Sequence, residues 1–154
     1  MDFQITDLSL TLLADANGVN DCDKIEREDR SEAGQFFSPV ETADYLAELF
    51  SDVSFGNEVV LHDPGAGTGV LTAAFVDSLL RRIKGEKIQK PKKVMLIAGE
   101  RDVLFISSLR SVLSACEEKL NNEEIETEMC LLEGDWIELS ADALEASLLN
   151  SSQI

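Results

Sequence analysis

Three short apolar runs recur along the chain: Val59-Val60-Leu61, Val94-Met95-Leu96-Ile97-Ala98 and Met129-Cys130-Leu131-Leu132. Each has the length of a strand rather than of a helix, and each is followed by an acid within a few residues. Between the first two, Val70-Leu71-Thr72-Ala73-Ala74-Phe75-Val76 leads into Leu79-Leu80, which predicts a helix from about residue 68 to about residue 83. Between the second and third, Leu104, Phe105, Ile106, Leu109, Val112, Leu113 and Cys116 share one helical face. Residues 84–92 are polar and contain Gly85 and Pro91, so they predict a loop. Residues 117–128 are acidic and contain Asn121-Asn122, which predicts a turn with a frayed helix end. Strand, helix, strand, helix, strand is an α/β, doubly wound pattern, and right-handed crossovers make the strands parallel in one sheet.

The first part of the chain is less regular. Phe3, Ile5, Leu8, Leu10, Leu12 and Leu13 fit neither a strand period nor a helix period, and Asn17-Gly18 is expected to break the segment. Residues 21–32 carry dense charge of both signs, as an exposed helix or a mobile arm would. The chain therefore divides into an acidic N-terminal arm, residues 1–33, and a domain from 34 to 154. That domain opens on Gly34-Gln35-Phe36-Phe37-Ser38-Pro39. Ser38 and Glu41 match a capping box, with Pro39 at the first helical position, where its missing N–H is harmless. Val40, Ala43, Tyr45, Leu46, Ala47, Leu49 and Phe50 then form a helical face.

Composition narrows the class. The length of 154 residues suits one domain, and 44% of the residues are hydrophobic, as in ordinary globular proteins. No apolar run approaches a membrane span and the N-terminus lacks a basic signal-peptide head, so a cytoplasmic protein is expected. Cys22, Cys116 and Cys130 are scattered, which suits neither a disulfide framework nor a zinc site. The net charge of −17 opposes unaided binding to nucleic acid, since phosphate contacts need Lys and Arg. Arg81, Arg82, Lys84, Lys87, Lys90, Lys92 and Lys93 hold seven of the 13 basic residues. They read as a solvated helix end and loop before they read as a phosphate-binding patch.

The chemistry concentrates at Asp63-Pro64-Gly65-Ala66-Gly67-Thr68-Gly69, between the first strand and its helix. Glycines there let a ligand approach the backbone, and the helix start presents free N–H groups. The spacing Gly65-x-Gly67-x-Gly69 departs from the dinucleotide fingerprint, and no Lys follows as a Walker phosphate loop requires. Asp63 at the strand end suits a cationic amino acid ligand, whose ammonium it can accept. Glu100 follows the second strand and Asp135 the third, so the three carboxylates should line one crevice at the C-terminal edge of the sheet. Glu100 is placed to accept both hydroxyls of a ribose, and Asp135 an adenine amino group; Trp136 offers a ring on which adenine could stack. Each has a plainer reading. Strand-end acids also suit the next helix's N-terminus, Asp102 reads best as a helix N-cap, and a lone Trp is commonly a core residue. His62 is read as structural.

Asp63-Pro64-Gly65-Ala66-Gly67-Thr68-Gly69 resembles the first S-adenosylmethionine motif of amino-methylating DNA methyltransferases. Gln35-Phe36-Phe37-Ser38-Pro39 resembles the segment that precedes the glycine loop in their N6-adenine class. Together with Gly99-Glu100-Arg101-Asp102 and Gly134-Asp135-Trp136, the chain from Gly34 to Leu139 resembles restriction–modification N6-adenine DNA methyltransferases that order their cofactor half before their catalytic half. The resemblance implies a Rossmann-like methyltransferase fold, here partial, and S-adenosyl-L-methionine as cofactor. It implies that Gln35, Phe36 and Ser38 wrap the methionine end, beside Asp63, Gly65, Gly67, Gly69, Glu100, Asp135 and Trp136. The family's Asn/Asp-Pro-Pro-aromatic signature, which holds the flipped adenine, is absent, since the chain's three prolines are nowhere adjacent. No catalytic residue and no metal ligand is therefore assigned. The expected piece is a cofactor-binding part that meets DNA through other regions or a complementary chain. A small-molecule methyltransferase fragment and an acidic, degenerate interaction module are the alternatives. Half a sheet is also expected to leave a strand edge and an apolar face open.

Overall fold

A computed structural model describes residues 9–22 and 38–136. In chain order these form helix α1 (Leu10–Cys22), helix α2 (Val40–Glu48), strand β1 (Glu58–Asp63), helix α3 (Val70–Lys84), strand β2 (Lys93–Glu100), helix α4 (Val103–Asn122) and strand β3 (Glu126–Glu133). The strands lie side by side in the order β1-β2-β3, and both pairings are parallel. The register sets Asp63 beside Ala98 and Glu100 beside Glu133, so the three C-terminal ends share one edge.

Alternation along the strands gives the sheet two unlike faces. Val59, Val94, Leu96 and Ala98 point into the main core with Val76, Leu79, Leu109, Val112, Leu113 and Cys116 of the helices. Leu61, Met129 and Leu131 pack against the same core. On the opposite face Val60 is 63% exposed, while Cys130 and Leu132 are buried. Among the described residues, β1 and β3 each pair with β2 alone.

Three elements differ from the sequence expectation. Asn17-Gly18 does not break the first segment: α1 runs through it to Cys22 and packs on α3 and α4. Leu10, Thr11, Ala14 and Gly18 are buried on one side of α1, and the small residues let the helix approach its neighbours closely. Tertiary burial overrides the local cost of glycine, about 1 kcal/mol. Helix α4 does not fray at residue 117 either. Leu120 repeats the buried position of Cys116 one turn on, so the helix continues to Asn122.

Helix α2 starts one residue later than the capping-box pattern predicts. Pro39 keeps an extended ψ of 149° and its carbonyl accepts from Ala43 N at 3.0 Å, so proline is the N-cap and no side chain caps the helix. Ser38 then lies outside the helix.

The basic cluster braces the far end of the sheet. Arg81 meets Glu48 at 2.6 Å, Lys84 meets Glu123 at 3.0 Å, Lys90 meets Glu124 at 3.3 Å and Lys93 meets Glu128 at 2.6 Å. Arg82 is buried, donates to the Val53 carbonyl at 2.7 Å and lies over the Phe55 ring. Such pairs contribute about 0–1 kcal/mol each where exposed. They occupy these cations with acids of the same chain and set them away from the glycine loop.

Candidate functional site

The loop between β1 and α3 is shaped by its own backbone. Ala66 N donates to the Gly99 carbonyl at 2.9 Å, which ties the turn to the end of β2. Gly69 N donates to the Ala66 carbonyl at 2.7 Å and closes the turn. Gly67 and Gly69 have φ of 56° and 87°, a region that side-chain-bearing residues rarely adopt. Gly69 is the N-cap of α3, so no side chain occupies the cap position.

The three glycines do different work. A Cβ on Gly69 would stand 3.0 Å from Leu109 Cδ1 and 3.2 Å from Val112 Cγ1, so Gly69 lets α3 start against α4. A Cβ on Gly65 would meet nothing within 4 Å. Packing explains Gly69. It does not explain Gly65, which faces open space where a ligand could approach.

Two carboxylates flank this loop. Asp63 is buried, and Thr72 Oγ1 donates to its Oδ2 at 2.9 Å. Burial raises the Asp63 carboxyl above its ordinary value of 3.8; the Thr72 hydroxyl and backbone N–H and nearby His62 oppose that rise, and nearby Glu100 adds to it. Glu100 reaches the loop: its Oε2 accepts from Gly67 N at 2.8 Å and its Oε1 accepts from Asp102 N at 2.8 Å. Asp102 is the N-cap of α4, accepting from Leu104 N at 2.9 Å, as its sequence position suggests.

The third acid sits differently. Asp135 Oδ2 lies 3.7 Å from Arg101 Nη1, and Gly134 N donates to the Glu100 carbonyl at 2.9 Å. Asp135 is thus at the same sheet edge, but engaged with the residue after Glu100. The Trp136 ring packs on His62 with centroids 3.9 Å apart, and its Cε3 would lie 3.2 Å from a Cβ on Gly99. His62 thereby has a structural partner. Ser38 stands immediately before α2, while Gln35 and Phe36 lie outside the described residues.

Sequence reasoning missed three contacts here: Thr72 to Asp63, Gly67 N to Glu100, and Thr68 Oγ1 to the Ala14 carbonyl at 2.9 Å. Only the first had a local hint, a hydroxyl in the first turn of the helix that follows an acid.

Asp63 gives a pH prediction. A carboxyl raised in the folded state binds its proton more tightly there than in the unfolded chain. Its contribution to stability is full below 3.8 and is lost as pH rises through the raised value. Asp63→Asn should therefore gain stability relative to the parent as pH rises from 3.8 through the raised value, as compared by urea midpoints. A difference that stays flat across that interval would show that the carboxyl is not raised.

The chain is similar to the Type II methyltransferase M.BsuBI of Bacillus subtilis, with 37% identity over 122 residues, 78% of this chain and 22% of that protein. It is also similar to the Type II methyltransferase M.PstI of Providencia stuartii, with 28% identity over 137 residues, 89% of this chain and 25% of that protein. It spans about a quarter of the length of these curated relatives. No family model and no solved structure matches it. Among the described residues, no helix is long and apolar enough to cross a membrane. With its parallel sheet, its glycine loop at the C-terminal edge and these relatives, the chain has the Rossmann-like fold of S-adenosylmethionine-dependent methyltransferases and is related to the restriction–modification methyltransferases.

Proposed function

We propose that this chain is the S-adenosyl-L-methionine-binding part of a site-specific DNA adenine-N6 methyltransferase. The observation that carries the reading is the pairing of an open glycine position, Gly65, with two carboxylates, Asp63 and Glu100, around the start of α3. These residues fit such a ligand. Asp63 would hold a cationic amino acid end, and the ligand's positive charge would favour the ionised carboxylate that burial disfavours. Glu100 uses one acceptor site on each oxygen for Gly67 and Asp102, and a carboxylate offers about four, so it retains capacity for ribose hydroxyls. Asp135 and Trp136 stand at the same edge, where adenine would lie. Gly67 shapes the loop, Gly69 supports it from behind, and Gln35, Phe36 and Ser38 would close the methionine end. The cofactor would supply an activated methyl group; this chain's residues bind and orient it.

Transfer to DNA would require more than these residues. The Asn-Pro-Pro-aromatic signature is absent and the charge is −17, so DNA would be met through other regions or a complementary chain. The purified chain is expected to bind S-adenosylhomocysteine in a calorimetric titration and to transfer no methyl group to adenine-containing DNA. Absence of binding by the folded chain would overturn the reading.

Gly65→Ala separates ligand from fold. Its Cβ enters open space, so stability should stay within about 0.5 kcal/mol of the parent. Its affinity for S-adenosylhomocysteine should fall about tenfold or more, because the methyl occupies the ligand's approach. Unchanged affinity would remove Gly65 from the site.

One observation favours a second reading, the degenerate interaction module. Asp63 and Glu100 are already engaged by Thr72, Gly67 and Asp102, as purely structural acids would be. That module would show no thermal shift with S-adenosylmethionine.

A further inference from the structure

We propose that α1, although it precedes the glycine loop by many residues, is the element that holds that loop in its binding conformation, acting through Thr68. The inference rests on the cofactor reading above for its functional consequence, but its structural part stands alone. Thr68 is the loop residue between the two positive-φ glycines, and it is completely buried. Its hydroxyl donates to the Ala14 carbonyl in the middle of α1 at 2.9 Å. Ala14 O thus takes a bond from outside its own helix, and the loop is pinned at its centre from behind.

A pin is useful only if its anchor is fixed, and α1 is fixed at both ends. At its start, Asp77 of α3 accepts from Ser9 Oγ at 2.8 Å and from the N–H and hydroxyl of Thr11, both at 3.2 Å. That carboxylate satisfies donors at the N-terminus of α1 and suits the positive end of its dipole. Lys119 of α4 lies 3.7 Å from the other Asp77 oxygen. At its far end, the buried Asp21 accepts from Ser108 Oγ of α4 at 2.5 Å. Helix α1 is therefore bolted to both helices that flank the sheet. The loop's other ties, Ala66 to Gly99 and Gly67 to Glu100, hold it to β2 from the front. Thr68 supplies the opposing hold, so the loop is clamped rather than hung on one side. Thr68 is a positioning residue in this account, and it need not touch the ligand.

The test uses the full chain and four variants. Thr68→Val keeps shape and removes the hydroxyl; Thr68→Ser restores it. Asp77→Ala releases the start of α1. Leu120→Ala, at a buried site near the end of α4, destabilises the core away from the loop. Amide hydrogen exchange across residues 63–70 needs no ligand. It should quicken about tenfold in Thr68→Val and in Asp77→Ala, with β2 unchanged, and Thr68→Ser should match the parent. Titration with S-adenosylhomocysteine should weaken about tenfold in Thr68→Val, recover in Thr68→Ser and stay at the parental value in Leu120→Ala despite a lowered Tm. Parental exchange in the Thr68→Val loop would overturn the proposal, as would parental affinity in a folded Thr68→Val. If the parent itself binds no S-adenosylhomocysteine, the cofactor reading fails, and the exchange data alone decide whether α1 clamps the loop.

Discussion

Gly69→Val should be the most damaging single substitution at the loop. Two penalties act together. A β-branched residue at φ 87° occupies a conformation that costs about 1–2 kcal/mol in L-residues. Its Cβ would also stand 3.0 Å from Leu109 and 3.2 Å from Val112, both fully buried, and overpacking of this kind costs about 1–3 kcal/mol. Their sum, about 2–5 kcal/mol, is a large share of the about 5–15 kcal/mol that typically holds a domain together. The two terms can be separated. Gly69→Ala combined with Leu109→Ala relieves the collision but leaves the backbone strain. Measured by urea unfolding, the pair should show a favourable coupling relative to the sum of the singles. Additive singles would mean that Leu109 does not crowd position 69.

Glu100→Ala should have the second largest effect. It removes the acceptor for Gly67 N and for Asp102 N at once, and hydrogen bonds to a charged group contribute about 1.5–3 kcal/mol each. Partial exposure lets water replace part of that, so a loss of about 2–3 kcal/mol is expected. Glu100→Gln is the informative companion. Its amide oxygen can accept from one of the two N–H groups, while its NH2 can accept from neither, so about half the loss should return. Under the proposed function, both variants should also weaken S-adenosylhomocysteine binding beyond what Gly65→Ala does, because they disturb the loop and the ribose contact together. A Glu100→Gln as stable as the parent would show that one of the two bonds contributes little.

These effects locate where the site draws its rigidity. Asp63 and Glu100 each serve the fold before any ligand arrives: one supports the start of α3, and the other joins the loop to the start of α4. A strand-end carboxylate can do both tasks because it has more acceptor sites than the backbone uses. The plain reading of strand-end acids and the ligand reading are thus compatible at these two positions.

Much of the sheet was legible along the chain. Val59-Val60-Leu61, Val94 to Ala98 and Met129 to Leu132 mark the three strands, and the glycine loop falls between the first strand and its helix, as β1, β2, β3 and α3 confirm. Asp102 was readable as an N-cap because its partner, Leu104, is two residues away. Such features depend on periodicity and on neighbours a turn apart, so the local order of residues suffices to specify them. The remainder was decided by distant meetings. Asn17-Gly18 stays helical because Ala14 and Gly18 are buried among α1's neighbours, and Leu120 extends α4 because it completes a buried face. Thr68 finds Ala14, Asp77 finds Ser9 and Thr11, and Gly67 finds Glu100 only once the chain has folded. A hydrogen bond across dozens of residues leaves no periodic trace in either partner's surroundings, and each partner taken singly has several equally good local uses. The order of the elements and the kind of loop were therefore determined by the sequence read locally, while tertiary packing alone decided which groups hold that loop in place.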